Sequence, residues 1–168
     1  IHMFDKLPTP YGLLRTGVAP DHQSIKQLQL YFEKIISKHR DHFEFFGNVH
    51  FGQDIFIDDI RDYYHAIFIC TGSENDRPLS LKGMSLDNVI PSRKMVRWYN
   101  SHPLYPRLDL CLKGQTAALI GIGNVSVDIA RMLLKDQAIL SKTDISDVAL
   151  NELKHSRIKT IHMFARRS

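Results

Sequence analysis

The hydrophobic positions of the chain form two patterns, continuous apolar runs and stripes that repeat every three or four residues. The runs HAIFICTG and TAALI are typical of strands that are buried in a parallel sheet. The stripes predict helices, and the clearest one follows TAALI closely. Predicted strands cover residues 1–4, 43–51, 65–70, 116–120 and 158–164, and predicted helices cover residues 25–36, 56–64, 91–99, 124–134 and 143–155. This alternation predicts an α/β protein with a mainly parallel sheet.

Composition narrows the class of protein only slightly. A composition of 43% hydrophobic and 24% charged residues is that of a globular protein. The length of 168 residues suits one domain or parts of two. The net charge of +4 fits an acidic partner or an anionic ligand. The basic residues form no stripe interleaved with aromatic residues, so we predict no nucleic-acid partner. We also predict no metal site, and we expect Cys70 and Cys111 to be reduced core residues of an intracellular protein.

A glycine turn between a predicted strand and a predicted helix is the first candidate site. The segment GIGNVS has the position of the phosphate-binding loop in a dinucleotide-binding βαβ unit. Gly121 would allow the tight turn, and Gly123 would leave room for a diphosphate. The N–H groups of Asn124 and Val125 would bind that diphosphate at the helix N-terminus. Ser126 stands where the usual pattern has glycine or alanine. The alternative interpretation is a tight turn that binds nothing.

The end of the last predicted strand indicates which dinucleotide this turn would bind. An acidic residue there would bind the ribose hydroxyls of NAD, whereas Arg166 and Arg167 follow this strand. Two guanidinium groups suit a 2′-phosphate, so the pair favours NADP. The alternative is that both arginines are only solvated. The strand comes later than in the simplest unit because a helix with the capping pattern TDIS precedes it.

The first residues predict part of a second dinucleotide-binding unit. IHMFDK has the pattern of its second strand, and Asp5 stands where an acid would bind the ribose of an adenine dinucleotide. HAIFICTG would be a later strand of the same sheet. The alternative for Asp5 is an ordinary turn residue. Because the chain starts within this pattern, we expect it to be a piece of a longer protein.

Several segments, taken in order, resemble one family of flavoenzymes. They are PYGLLRTGVAPDH, YHAIFICTG, RWYN, GIGNVSVDIARMLL, TDIS and RIKTIHMFARRS. Over essentially the whole chain they resemble the adrenodoxin reductase family of ferredoxin–NADP reductases. The resemblance implies part of a Rossmann-like FAD-binding domain at residues 1–74 and a Rossmann-like NADP-binding domain at residues 75–168, in a glutathione-reductase-like fold. It also implies that the glycine loop for FAD and a C-terminal flavin-binding segment lie outside this chain.

The resemblance further implies a reaction and its site residues. Hydride would pass from NADPH to FAD, and single electrons would pass from FAD to an iron–sulfur ferredoxin or adrenodoxin. His22 and Asp128 match polar positions with proton-relay or positioning roles. The residues implied to bind FAD are Asp5, Leu13, Val49 and Phe51, and those implied to bind NADP are Ile122, Gly123, Asn124, Val125, Arg166 and Arg167. The family usually has glutamate at the position of Asp5.

Alternatives remain open for the function and for two of these residues. A related flavoenzyme, the electron-input subunit of a glutamate synthase, is one, although PYGLLRTGVAPDH favours the reductases. A nucleotide-binding module without redox activity is another. His22 beside a proline could cap or pack, and Asp128 in the first turns of a helix could favour the helix dipole. A mitochondrial or other organellar location is also implied by the resemblance.

Overall fold

The computed structural model describes residues 1–73, 76 and 79–165. The strands among them are β1 His2–Phe4, β2 Glu44–Phe46, β3 Thr116–Ile120 and β4 Thr160–Phe164. The helices are α1 Gly12–Thr16, α2 Gln23–Lys26, α3 Leu28–Lys38, α4 Ile57–Ile60, α5 Ser92–Tyr99, α6 Asn124–Leu134, α7 Gln137–Leu140 and α8 Asp147–Lys154, with a 3₁₀ helix at Arg40–His42. In this part of the chain, none of the helices has the length and apolar character that crossing a bilayer requires.

The chain divides into two compact units. Unit 1 comprises Ile1–Gly12 and Gln27–Asn75, and unit 2 comprises Leu13–Lys26 and Asp76–Ser168. The predicted domains, 1–74 and 75–168, would instead place the segment Leu13–Lys26 in the first domain. The cofactor that each unit would bind stays a prediction.

Unit 1 is built around β1 and β2, which pair in parallel. The rings of Phe4 and Phe46, opposite each other in this pair, stack with their centroids 5.0 Å apart. The turn after β2 requires glycine, because a Cβ at Gly47 would lie 2.9 Å from the carbonyl oxygen of Pro8. The backbone after β2 therefore packs directly against the loop that follows β1.

The apolar run HAIFICTG forms no strand, so the prediction of a buried strand there is wrong. A strand in a parallel sheet needs a hydrogen-bonded neighbour, and within the described ranges this segment has none. Phe68 is consequently 86% exposed, and Cys70 is exposed with it. Cys111 is also exposed, in a loop where its N–H donates to the side chain of Asn88. Both cysteines are free thiols, but neither belongs to the core.

The predicted helix over residues 25–36 is present as two helices. The first of them, α2, ends at Lys26, and α3 begins at Leu28. The apolar stripe of α3 has helical spacing as expected, but no residue of α3 is buried, and Leu28 and Phe32 are about half exposed.

Unit 2 contains β3 and β4, again paired in parallel, with Ile120 opposite Phe164. The predicted bounds of β3 and α6 are both confirmed. The expectation that β3 is fully buried is wrong. Its side chains alternate, so Ala117 and Leu119 pack against the core while Ile120 is 61% exposed. Only one face of this strand is covered.

The core of unit 2 lies between α5, α6, α7 and α8. Its largest fully buried side chains are Trp98, Tyr99, Met132, Leu140 and Leu153. Trp98, on the apolar side of α5, is 1% exposed. Removing a side chain of this size from water contributes roughly 1.5–3 kcal/mol. The helix stripes seen in the sequence therefore converge on one apolar centre that holds α6 in place.

The helix predicted over residues 143–155 is shorter than expected. Its capping residue is Ser146, whose hydroxyl accepts a hydrogen bond from the N–H of Ala149, so that α8 begins at Asp147. Residues 137–140 form the additional helix α7, capped by Asp136. The Asp136 carboxylate accepts a hydrogen bond of 2.7 Å from the N–H of Ala138.

Candidate functional site

The glycine turn connects the end of β3 to the start of α6. The N–H of Gly121 donates to the carbonyl of Phe164 at 2.8 Å, which continues the β3–β4 pairing by one bond. Gly123 is the capping residue, and α6 begins at Asn124. The turn therefore lies at the edge of the sheet where both parallel strands end.

Glycine stands at positions 121 and 123 of the turn for different reasons. Gly121 has φ +115°, a backbone conformation that glycine adopts far more readily than other residues. Gly123 has φ −73° and ψ 172°, which any residue can adopt. A Cβ at Gly123 would meet no described atom within 4 Å. Neither the backbone nor the packing of the described residues requires glycine at 123, and the space beside it is open to a ligand.

Two amide groups at the start of α6 are available to such a ligand. The N–H of Ser126 donates to the carbonyl of Gly123, but those of Asn124 and Val125 have no acceptor in the described part of the chain. The first N–H groups of a helix point along its axis and carry a partial positive charge. Ile122 and Val125 are about half exposed, so the turn is accessible. This geometry suits an anion such as a phosphate.

The predicted phosphate-binding arginines follow β4 in the sequence. Both Arg166 and Arg167 lie outside the described residues, which end at residue 165. Their role stays a prediction that rests on sequence position.

A second group of polar side chains lies beside α6, and we call it the Arg131 cluster. It comprises Asp21, His22, Asp128, Arg131 and Lys135, all in unit 2. Arg131 donates to both carboxylate oxygens of Asp21, at 2.7 and 3.1 Å. It also donates to Asp128 at 2.8 Å and lies 2.9 Å from the Nε2 atom of His22. The ammonium of Lys135 is 2.6 Å from Asp21.

Asp21 is the most buried member of the cluster, with its side chain 6% exposed. Burial alone would raise the pKa of its carboxyl. Hydrogen bonds from Arg131 and Lys135, together with their positive charges, outweigh burial and lower the pKa of Asp21 to about 2. The hydrogen bonds from Arg131 to Asp21 raise the pKa of Arg131, and its hydrogen bond to Asp128 raises it further. Asp21 is therefore ionised wherever the protein is folded near neutral pH.

The structure brings together the two residues that the sequence assigned to proton-relay or positioning roles. His22 and Asp128 are 106 positions apart in the sequence, and both bind the guanidinium of Arg131. The sequence interpretation assigned no role in the site to Asp21, Arg131 or Lys135. The spacing of three residues between Asp128 and Arg131 on one helix was a usable signal. Nothing in the sequence could pair Arg131 with Asp21.

The core of unit 2 contains the phenol hydroxyl of Tyr99. Its side chain is fully buried, and its hydroxyl has no hydrogen-bond partner in the described residues. Burial raises the pKa of the phenol, and the negative charge of Asp128 raises it further. Tyr99 therefore stays protonated.

The structure also brings together two of the residues predicted to bind FAD. The N–H of Val49 donates to the carbonyl of Asp5 at 3.0 Å, at the ends of β2 and β1. One carboxylate oxygen of Asp5 accepts from the N–H of Leu7 at 2.9 Å, so the alternative role in a turn is present in the structure. Phe51 lies just beyond Val49 and forms an isolated bridge with Ile55. The other predicted FAD residue, Leu13, belongs to unit 2 and is 78% exposed on α1.

These features together define a mixed helix-and-strand protein with an accessible turn whose geometry suits an anion and with a half-buried charge cluster. No protein-family model matches the chain. Curated relatives do match it, and they include the mitochondrial NADPH:adrenodoxin oxidoreductase of Drosophila melanogaster, 41% identical over 167 residues, and that of Arabidopsis thaliana, 40% identical over 168 residues. The NADPH-ferredoxin reductase FprA of Mycobacterium tuberculosis is 40% identical. Each match covers 99% of this chain and 34–36% of the relative.

Solved structures give the same result. The structure of M. tuberculosis FprA in complex with NADPH is similar with a TM-score of 0.94 and 40% identity, over 99% of this chain and 36% of that chain. An atomic-resolution structure of FprA, described for a covalent modification of NADP+, is similar with a TM-score of 0.93. The resemblance of this chain to the adrenodoxin reductase family is therefore confirmed. The chain spans about a third of the length of the curated relatives it matches.

Proposed function

We propose that the chain is the NADP-binding part, together with some of the FAD-binding part, of an NADPH-dependent ferredoxin or adrenodoxin reductase. The observation that carries this proposal is the open turn at Gly123. In that turn, neither backbone strain nor packing against described atoms explains the glycine, and two helix N–H groups have no acceptor among the described residues. The similarity to reductases whose names specify NADPH supports the same assignment.

The turn would hold the diphosphate of NADP. The backbone from Ile122 to Val125 would surround it, and the N–H groups of Asn124 and Val125 would donate to its oxygens. Arg166 and Arg167, which follow β4 in the sequence, would bind the 2′-phosphate and select NADP over NAD. The fold that this proposal implies is Rossmann-like, within a glutathione-reductase-like protein.

The residues of unit 1 would hold part of FAD. The carboxylate of Asp5 uses one oxygen to order the turn at Leu7, and its other oxygen would bind a ribose hydroxyl. The main chain at Val49 and Phe51 would lie along the same cofactor, as would Leu13. When both cofactors are bound, NADPH supplies a hydride and FAD divides the electron pair into single electrons for the iron–sulfur partner.

His22 and Asp128 belong to the Arg131 cluster, and both would interact with the bound cofactor. Both are held by hydrogen bonds to one guanidinium, so their positions are fixed relative to each other. A fixed pair of this kind can hold a proton or orient a polar group of a bound cofactor. The positive net charge of the chain favours an acidic ferredoxin or adrenodoxin as the electron acceptor. We infer a mitochondrial location from the two mitochondrial relatives, although the relatives also include bacterial proteins.

Calorimetric titration of the full chain with NADP+, and separately with NAD+, tests the assignment of the turn. We expect NADP+ to bind more tightly, and we expect Gly123→Ala to weaken NADP+ binding at least tenfold, which corresponds to about 1.4 kcal/mol. The added methyl would occupy the space where the diphosphate approaches. Unchanged affinity in Gly123→Ala would contradict the diphosphate site. Bound yellow flavin in the purified chain would argue against the alternative, a nucleotide-binding module without redox activity.

A further inference from the structure

The imidazole of His22 faces a group that can only donate hydrogen bonds. Nη2 of Arg131 lies 2.9 Å from Nε2 of His22. A guanidinium carries five N–H donors and no acceptor, and it stays protonated in proteins. Nε2 of His22 must therefore be the acceptor and carry no proton. In a neutral imidazole, this places the proton on Nδ1.

Arg131 is itself fixed from three sides. Its Nε and Nη2 atoms bind the two oxygens of Asp21, and its Nη1 atom binds Asp128. With the bond to His22, four of its five N–H groups have acceptors. Lys135 also binds Asp21, at 2.6 Å, through the Oδ2 atom that accepts from Nε of Arg131. The guanidinium can hardly turn without losing several charged hydrogen bonds.

The charges of the cluster balance when His22 is neutral. Two carboxylates, of Asp21 and Asp128, face two cations, of Arg131 and Lys135. A proton on Nε2 of His22 would set an N–H donor against an N–H donor of Arg131 and would break the bond between them. The other ring nitrogen, Nδ1, binds no atom in the described part of the chain, and His22 is half-buried. Nδ1–H is thus the polar group that His22 can offer to a ligand.

We propose that Arg131 is a positioning residue that fixes His22 in the Nδ1–H tautomer, as a hydrogen-bond donor, and holds Asp128 beside it. A group that meets Nδ1–H of His22, on a ligand or on another part of the protein, must then be a hydrogen-bond acceptor. The inference deepens the proposed function, on which any ligand depends, and of the two roles considered for His22 it assigns positioning by a donated hydrogen bond. Asp21 holds Arg131 in place, whereas Lys135 binds Asp21 rather than His22.

Nitrogen-15 NMR of the full chain labelled at histidine tests the tautomer directly. A ring nitrogen without a proton resonates far downfield of one that carries a proton, so each tautomer has its own pattern. The chain has nine histidines, and the His22→Gln variant assigns the signals of His22. At pH 8 we expect His22 to carry its proton on Nδ1. Protonation of Nε2 in the unmodified chain would overturn the proposal without any variant.

Two matched variants then identify the group that fixes the tautomer. In Arg131→Met the donor to Nε2 is lost, and we expect His22 to move toward the Nε2–H tautomer that free histidine prefers in water. Lys135→Met removes a cation of the same cluster that does not touch His22, and we expect the Nδ1–H tautomer to persist. A switch in both variants, or in neither, would contradict the role of Arg131. Backbone amide spectra report whether each variant is folded.

This result is separable from the proposed function, because the spectra need no cofactor. If NADP+ failed to bind while His22 showed the Nδ1–H tautomer, the cofactor assignment would fall and the role of Arg131 would stand. If NADP+ bound while His22 showed the Nε2–H tautomer, only the role of Arg131 would fall.

Discussion

Arg131 on α6 binds both carboxylate oxygens of Asp21, a residue 110 positions earlier in the chain. This bidentate ion pair joins the segment Leu13–Lys26 to α6 within unit 2. The Asp21 side chain is 6% exposed and that of Arg131 is 32% exposed, so water screens the pair only in part. Loss of either partner leaves the other charge poorly compensated.

A double-mutant cycle measures how strongly this pair is coupled. We expect Asp21→Ala and Arg131→Met each to lower the free energy of unfolding by about 2–4 kcal/mol, because each leaves an uncompensated charge behind. The double variant should cost about 1–3 kcal/mol less than the sum of the single variants. Urea unfolding gives all four values. Glu152→Gln and Lys142→Met are controls at exposed positions and should change stability by less than about 0.5 kcal/mol. Strict additivity of the two cluster variants would show that the pair contributes nothing.

The pKa of Asp21 makes the stability of unit 2 depend on pH in acid. Its folded-state pKa of about 2 lies below the ordinary value of 3.8, so ionised Asp21 stabilises the fold above about pH 4. This contribution, about 2 kcal/mol from a shift of this size, should be lost as the pH falls from 4 through 2. Unfolding free energies of the unmodified chain and of Asp21→Asn should therefore converge over that range. A difference that stays constant between pH 6 and pH 2 would refute this linkage.

The two glycines of the turn should respond differently to alanine. We expect Gly121→Ala to lower the free energy of unfolding by about 1–3 kcal/mol, because alanine is strained at φ +115°. Gly123→Ala should cost less than about 1 kcal/mol, since its backbone conformation is an ordinary one and its Cβ has room. Chemical unfolding of the two variants compares them directly. If Gly123→Ala destabilised the protein as much as Gly121→Ala, Gly123 would be needed for folding. The argument that this glycine leaves space for a ligand would then lose its support.

The arginine pair after β4 should determine which dinucleotide is preferred. Replacing Arg166 and Arg167 together with alanine should weaken NADP+ binding at least tenfold and leave NAD+ binding unchanged, because only NADP+ carries the 2′-phosphate. Calorimetric titration of both nucleotides measures the two affinities. Arg157→Ala removes an exposed cation from the same unit and should affect neither affinity. Equal weakening for NADP+ and NAD+ would show that the pair acts on net charge alone.

The hydroxyl of Tyr99, which has no partner among the described residues, gives a prediction of opposite sign. A buried donor without an acceptor costs free energy, so Tyr99→Phe should stabilise unit 2 by up to about 1 kcal/mol. Thermal unfolding gives the sign of the effect, and Trp98→Phe, which removes core volume, should destabilise the protein in the same assay. A loss of stability in Tyr99→Phe would mean that the hydroxyl has a bonded partner in solution.

The sequence was informative wherever the structure is determined by neighbours in the chain. The bounds of β3 and α6 follow from an apolar run, a glycine turn and a helical stripe, and all three signals are local. The helix predicted over residues 91–99 is present as α5, because its apolar stripe is also a local signal. The capping residue of α8 was misplaced by three positions, since both Thr143 and Ser146 can cap a helix.

Prediction failed where the outcome depends on residues far apart in the chain. HAIFICTG has the apolar pattern of a buried strand, but pattern cannot supply the neighbouring strand that its backbone needs. The Arg131 cluster was missed for a related reason. His22 and Asp128 were selected by resemblance, whereas the Arg131 side chain that joins them is held by Asp21, 110 positions before it in the chain. Long-range ion pairs have no signature in a single sequence.

The division of the chain into units has a consequence for its synthesis and for its dissection. The segment Leu13–Lys26 is made well before its partners Asn100, Arg131 and Asp144, which lie much later in the chain. Domains usually fold as they leave the ribosome. Asp21 can pair with Arg131 only after more than a hundred further residues have been synthesised. A shortened protein that began at residue 75 would keep Arg131 and Lys135 but lose Asp21, whose carboxylate both of them bind.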